Sequence, residues 1–293
     1  MKAWLYLLLA LFLLVPTAYA QPVMTYRYNA PESALDKRYD YQWKILQTAL
    51  ERTKRKYGLY RMVKSVVMTE KRQVDELERD SGLLTVMYLD TNPDMERKLV
   101  PIHIPVDKGL VGYRVFLIRK QAQAAFEGVN TLEDLRRFTY GLGLGWADVE
   151  VMQSNGFRVV TGSSYDGLFN MLVHNRFDVF SRSVGEVLDE YDERKPFMPD
   201  LFIEPDILLY YPLPMYFWFA NSEHGRKLAA RVEEGMWMMM RDGSYDRVFK
   251  QYYGDRIRQL NLAKRKLFKL DNPLLVPETP LDNRRLWIDL QPK

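Results

Sequence analysis

The chain has 293 residues, no cysteine and a formal net charge of +4, with 42 basic and 38 acidic side chains interleaved along it. The lack of cysteine excludes a disulfide framework and a cysteine nucleophile, so the apolar core has to hold the fold unaided. The small positive balance gives no case for nucleic acid, because the basic run Arg52-Thr-Lys-Arg-Lys56 reads as the solvated end of a helix and no basic stripe continues it.

In chain order, residues 1–20 read as a signal peptide, with Lys2, an apolar run from Leu5 to Val15, and Ala18-Tyr-Ala20 as a cleavage site before Gln21. The run is short for a spanning helix, so an exported, soluble periplasmic protein of about 270 residues is expected, with a retained N-terminal anchor as the alternative. No cysteine stands at the cleavage site for a lipid to attach to. Residues 24–28 read as a strand, 29–33 as a loop, and 41–56 as a helix burying Ile45, Leu46, Ala49 and Leu50 on one side. A Val-rich strand over 61–68 follows, then a helix over 70–79 capped by Thr69, and a strand over 83–88. A polar turn over 89–97 leads to 99–105 and to a strand over 112–118 that ends where a second lobe begins.

The stretch 131–183 spells strand and helix in alternation. Thr131 caps a short helix with an acidic first turn, closed by Arg136 and Arg137. In Tyr140-Gly-Leu-Gly-Leu-Gly145 the glycines leave one face of a strand bare, and Trp146-Ala-Asp148 starts a helix whose first N–H groups point over that strand's end. Residues 158–160 form a second strand. Ser163 or Ser164 caps a helix over 165–175 with Leu168, Phe169, Leu172 and Val173 on its apolar face, and 177–180 is the third strand. Such alternation means a parallel sheet with its ligand at the carboxyl ends of the strands, here residues 145–148, 162–164 and 181–183. The extended return over 208–221 matches 112–118 as a second crossover, which makes a hinge with a cleft between two lobes. Helices over 226–241, with the buried run from Met236 to Met240, and over 244–253 follow. Pro273, Pro277, Pro280 and Pro292 mark an extended strap or tail.

Three passages resemble family 3 of the periplasmic solute-binding proteins, the amino-acid-binding kind. Thr91-Asn-Pro-Asp-Met-Glu-Arg97 is similar to the family's turn in which Thr or Ser precedes an arginine that clasps the ligand carboxylate. Leu132-Glu-Asp-Leu135 followed by Tyr140-Gly-Leu-Gly-Leu-Gly145 is similar to its passage into the second lobe, and Asp242-Gly-Ser-Tyr-Asp-Arg-Val-Phe-Lys-Gln-Tyr-Tyr-Gly254 to its closing segment. The resemblance implies an α/β, two-lobed type II periplasmic-binding-protein fold, each lobe a mainly parallel sheet flanked by helices, with two crossover segments. The implied division is signal peptide 1–20, first lobe 21–116 with 214–268, second lobe 117–213, and extended tail 269–293. The implied activity is non-catalytic: a monomer without cofactor or metal captures a small-molecule solute for an inner-membrane ABC transporter or sensor.

Carried over by position, Arg97 would hold an anionic group and Asn92 would line the same wall. Trp146 and Ala147 would occupy the helix start that donates N–H groups, and Tyr28 would close the end of the first strand. Ser183 falls where amino-acid binders keep an acid for the ligand's ammonium. With Arg182 beside it, the expected solute is anionic or carboxylate-bearing rather than an ordinary α-amino acid. Plain structural alternatives stay open: Arg97 pairing with Asp94 or Glu96, Arg182 pairing with Glu186, and Trp146 plugging the seam. Tyr41 reads as packing, and Asp148 and Glu150 as acids suited to a helix start. His103, His174 and His224 are scattered and lack metal-ligand spacing. A second function class is a small-carboxylate lyase or dehydratase using a cleft carboxyl of raised pKa, with Asp90, Asp94 and Glu186 as candidates. A third is an interaction protein with a degenerate cleft.

Overall fold

Strand β1 (Met24–Tyr28) pairs in parallel with β2 (Tyr60–Lys64), and α1 (Asp40–Arg52) connects them by burying Tyr41, Gln42, Ile45, Leu46, Ala49 and Leu50 along one stripe. The computed structural model describes residues 23–31 and 36–290, so the expected signal peptide and residues 32–33 of the expected loop lie outside the described residues. The helix expected over 41–56 is interrupted at Thr53. The Thr53 hydroxyl bonds back to the carbonyls of Ala49 (3.1 Å) and Leu50 (3.0 Å), and a separate turn, Lys54–Tyr57, follows. Helix α2 (Glu70–Glu78) is capped by the Thr69 hydroxyl, which accepts from the Arg72 N–H at 3.3 Å. Then come β3 (Met87–Asp90), α3 (Pro93–Lys98) and β4 (Leu99–Ile102).

A strand from late in the chain, β11 (Met215–Ala220), lies between β3 and β4 and runs antiparallel to both. The N–H groups of Thr85 and Val86 donate to the Arg27 carbonyl and join β1 to the chain entering β3. The first lobe therefore reads β2-β1-β3-β11-β4 across.

The second lobe repeats the plan. Strands β6 (Thr139–Gly143), β7 (Arg158–Gly162) and β8 (Val179–Ser183) are parallel, with β6 in the middle. Strand β5 (Tyr113–Arg119), supplied by the chain arriving from the first lobe, runs antiparallel to β8, β9 (Leu201–Ile203) and β10 (Ile207–Tyr210). Helices α4 (Ala147–Ser154), α5 (Tyr165–Val173) and α6 (Val187–Arg194) cover the sheet, as a parallel arrangement requires. Ser164, rather than Ser163, caps α5 by accepting from the Gly167 N–H at 3.2 Å. The glycines of β6 let the chain's own rings close in. A Cβ at Gly141 would meet the Phe177 ring at 2.1 Å, and one at Gly143 would meet the Trp146 indole at 2.2 Å.

Two features of the connections differ from expectation. All of β5 belongs to the second sheet, so the chain has crossed before Tyr113 instead of near residue 116. And after α7 (Glu223–Arg241) and α8 (Ser244–Gln259), which pack on the first lobe, β12 (Lys266–Lys269) joins the second sheet in parallel with β10. That makes a third crossing where two were expected. From there the proline-containing segment forms a tied strap. Asn155 grips both backbone groups of Asp271, and the Asn272 side chain donates to the Pro212 carbonyl of the returning crossover at 2.9 Å. Farther on, the Ile288 N–H donates to the Lys108 carbonyl at 2.8 Å, and Trp287 lies on Gly109 (φ 71°), where a Cβ would stand 2.3 Å from the indole. Among the described residues no helix is long and apolar enough to cross a membrane.

Candidate functional site

The amino end of β5, the carboxyl ends of β6 and β8 and the start of α4 meet the first lobe around a cavity of about 60 Å³, and two arginines on the second-lobe side stand beside their own counterions. Arg114 is a buried cation near the start of β5, ahead of the apolar run Val115 to Ile118. It donates to the Asp148 carboxylate in the first turn of α4 and to the Tyr211 hydroxyl (3.0 Å), and Tyr211 in turn donates to Asp148. Arg182, on β8, gives three bonds of 2.6–3.0 Å to Glu190 and one of 2.8 Å to Glu186, both on the α6 side. Burial works against the charge of Glu190, but the Arg182 guanidinium and the Tyr165 hydroxyl (2.7 Å) outweigh it and hold its carboxyl below the usual range. For Glu186, burial outweighs Arg182 and pushes the carboxyl up.

The first lobe contributes the loop before α1. Arg38 reaches across the seam with its guanidinium 3.8 Å above the Tyr165 ring and 5.9 Å from that of Trp146, while Asp36 accepts from it at 2.7 and 3.0 Å. Lys37 pairs with Glu193 across the same seam, and Arg256 pairs with Asp189 through bonds of 2.7–3.1 Å. Behind Arg38, the first-lobe wall consists of Gln42, Tyr88 and Asp90. Asp90 ends β3 and is 8% exposed. Burial, reinforced by Asp148 across the cavity, pushes its carboxyl up to about 7.

No family model matches this chain, and no curated protein matches it significantly. Solved structures do. An ancestral arginine-binding protein bound to arginine superposes with a TM-score of 0.57 at 16% identity, covering 78% of this chain and 98% of that one. A putative binding component of an ABC transporter from Wolinella succinogenes, complexed with lysine, gives 0.56 at 13% identity over 78% and 95%. A histidine kinase sensor domain with similarity to periplasmic binding proteins gives 0.57 at 14% identity over 80% and 97%. The chain has the type II periplasmic-binding-protein fold. In this fold the interlobe cleft just described lies at the carboxyl ends of the parallel strands, where a switch in strand order opens a crevice.

Within the periplasmic-binding fold, three of the expected residues meet at the cavity: Trp146, Ala147 and Arg182. The remaining four do not line it. Arg97 sits on α3 with its side chain 68% exposed, bonded to Asp94 at 3.0 Å. Helix phase explains this. Asn92 is the N-cap and Met95, three residues on, turns inward and is 3% exposed, so Arg97, about 200° farther round, faces out. Asn92 itself accepts from the N–H groups of Asp94 and Met95, which satisfies donors that a ligand anion would otherwise meet. Ser183 is buried and its hydroxyl accepts from the Gly185 N–H at 3.1 Å, and Tyr28 packs on Trp43 with ring centroids 4.7 Å apart. The sequence reading passed over Arg38, Gln42 and Arg114. Of these only Arg114 carried a signal, being the lone cation in the strand expected over 112–118.

Proposed function

We propose that the protein is a periplasmic, non-catalytic binding module that takes a small cationic solute in its interlobe cleft. One observation carries this reading: the cavity faces three arginines, Arg38, Arg114 and Arg182, against four carboxylates, Glu70, Asp90, Asp148 and Glu186, and each arginine bonds a carboxylate of the protein itself. A solute anion would have to displace an internal counterion, at a cost comparable with breaking a buried pair. A cation meets surplus negative charge and aromatic faces, and the seat of Arg38 over Tyr165 shows that this seam stabilises a guanidinium. The geometry thus favours a cation over the anion expected from Arg97. The arginine and lysine named with two of the superposed structures are in keeping with that sign, and the sensor domain among them keeps signalling beside uptake as the downstream role.

The test is a melting-temperature screen on protein lacking residues 1–20, with basic amino acids and amines set against glutamate and succinate. Cations should raise the midpoint in a concentration-dependent manner. A larger rise with the dicarboxylates would overturn the reading. The elevated Asp90 carboxyl favours one second reading, a lyase that uses it as proton carrier. That reading requires consumption of the bound compound, abolished in Asp90→Asn and followed by NMR.

A further inference from the structure

We infer that Asp90, with Gln42 and Tyr88, forms a subsite for a primary ammonium or amidinium group, and that the preferred solute is an amine without a carboxylate beside that nitrogen. The inference rests on the cationic reading above and narrows it. Its starting point is the state of the protein's buried acids. Asp36, Asp148 and Glu190 each accept from an arginine, Glu76 lies 3.4 Å from Arg79, and Asp107 and Glu204 each accept from two backbone N–H groups. Asp90 alone among the described buried carboxylates has no donor beyond its own backbone N–H. Taking a carboxylate out of water with nothing to pair it costs several kcal/mol, about the scale at which a group gives up its charge instead.

Its neighbours are little better provided for. The Gln42 Oε1 is buried with no hydrogen-bond partner, and the Tyr88 hydroxyl, equally buried, meets only the Gln42 side chain; the two residues are 3% and 4% exposed and line the cavity with Asp90. A carboxylate oxygen and an amide oxygen only accept, so what satisfies them is a group rich in N–H. The charged groups facing the same space are Arg38 from the loop, Glu70 from α2, Arg114 from β5, Asp148 from α4, and Arg182 and Glu186 from the β8 end. The three cations among them are engaged, which leaves no guanidinium for a solute carboxylate. Such a carboxylate would also lie against Glu70, Asp90 and Asp148. The cavity admits a head group only. Its rim residues Tyr39, Glu70 and Trp146 also border a second cavity of about 100 Å³ that continues toward Val67, Met68 and Leu144 on one side and Ser163 and Ser164 on the other, room for the solute's carbon chain. The expected solute is therefore an alkyl amine, diamine or guanidinoalkyl amine.

The experiment uses compound pairs that differ by one carboxylate: 1,5-diaminopentane against lysine, and 4-guanidinobutylamine against arginine. Calorimetric titration at pH 7 in two buffers of different ionisation enthalpy should give at least ~10-fold tighter binding of each decarboxylated partner. It should also show release of roughly half a proton per site, because the cation draws Asp90 into its charged form. Asp90→Asn should lose both the preference and the proton release while melting no lower than the parent, which shows that the variant is folded. Equal or tighter binding of the amino acids, or a variant that binds like the parent, overturns the subsite and leaves the cationic reading standing. No binding of any of the four compounds overturns both.

Discussion

Across the cleft, Arg114 and Arg182 of the second lobe each meet a carboxylate of their own lobe, whereas Asp90, Gln42 and Tyr88 of the first lobe border the same cavity without such partners. The second-lobe wall is complete: its charges and hydroxyls form a closed network that holds Trp146 and the start of α4 in place. The first-lobe wall is incomplete, and under the proposed binding role its unmet acceptors would set what chemistry a guest must bring. Position in the fold gives both walls equal access to the cleft; only the satisfaction of their polar groups tells structure from recognition.

The comparison breaks most visibly through Arg182. Replacing it by alanine strands Glu186 and Glu190 in a buried setting, with an expected loss of ~3–5 kcal/mol in denaturant unfolding. A loss below ~1 kcal/mol would mean that this network does not hold the wall together.

Asp90 should act in the opposite sense through pH. Its folded-state pKa of about 7 lies above the ordinary 3.8, so the folded protein binds the extra proton between those values. Stability is then fully present near pH 4, falls as pH rises toward 7, and levels off above it. The loss is on the order of a few kcal/mol, and Asp90→Asn should reduce it. Asp107, raised to about 7 by burial, contributes in the same direction and leaves a residual slope.

A pair of hydroxyl deletions sharpens the contrast. Tyr211→Phe removes bonds to Arg114 and Asp148 and should cost ~1–2 kcal/mol, while Tyr88→Phe removes a hydroxyl that meets only the Gln42 side chain and should fall within ~0.5 kcal/mol of the parent. The smallest effect belongs to Arg97→Ala. It should change unfolding by less than ~0.5 kcal/mol and leave solute affinity as it was, since the side chain is mostly solvated.

Much of the fold was legible from local rules. The caps at Thr69, Thr131 and Ser164, the stripe of α1 and the alternation through β6, β7 and β8 are all set by neighbours in sequence. Strand limits drifted where the apolar run continued past the last paired residue: 61–68 was expected, but pairing stops at Lys64 and Val66 and Val67 are exposed. The site was less legible, because its decisive property is long-range. Arg182 meets Glu190 eight residues on, beyond a single helical turn, and Arg114 meets Asp148 across 34 residues. Arg97 was misplaced by helix phase. Residues 89–97 read as a polar turn, whereas Asn92 caps a helix whose phase turns Met95 inward and Arg97 out. Nothing local marks Gln42 as unusual, since its neighbours Tyr41 and Ile45 share its buried stripe.

The strap bears on motion. Two connecting segments define an axis about which lobes can swing, but the passage from α8 into β12 adds a third leg, and residues 271–290 tie Asn155, Pro212 and Lys108 into one girdle. A triangulated joint resists rotation that a pair of struts permits. The molecule is thus expected to admit its guest by a small parting at the rim instead of a wide gape. Small-angle scattering should then record nearly the same radius of gyration with and without saturating solute, and a chain ending at Leu270 should restore the wider swing.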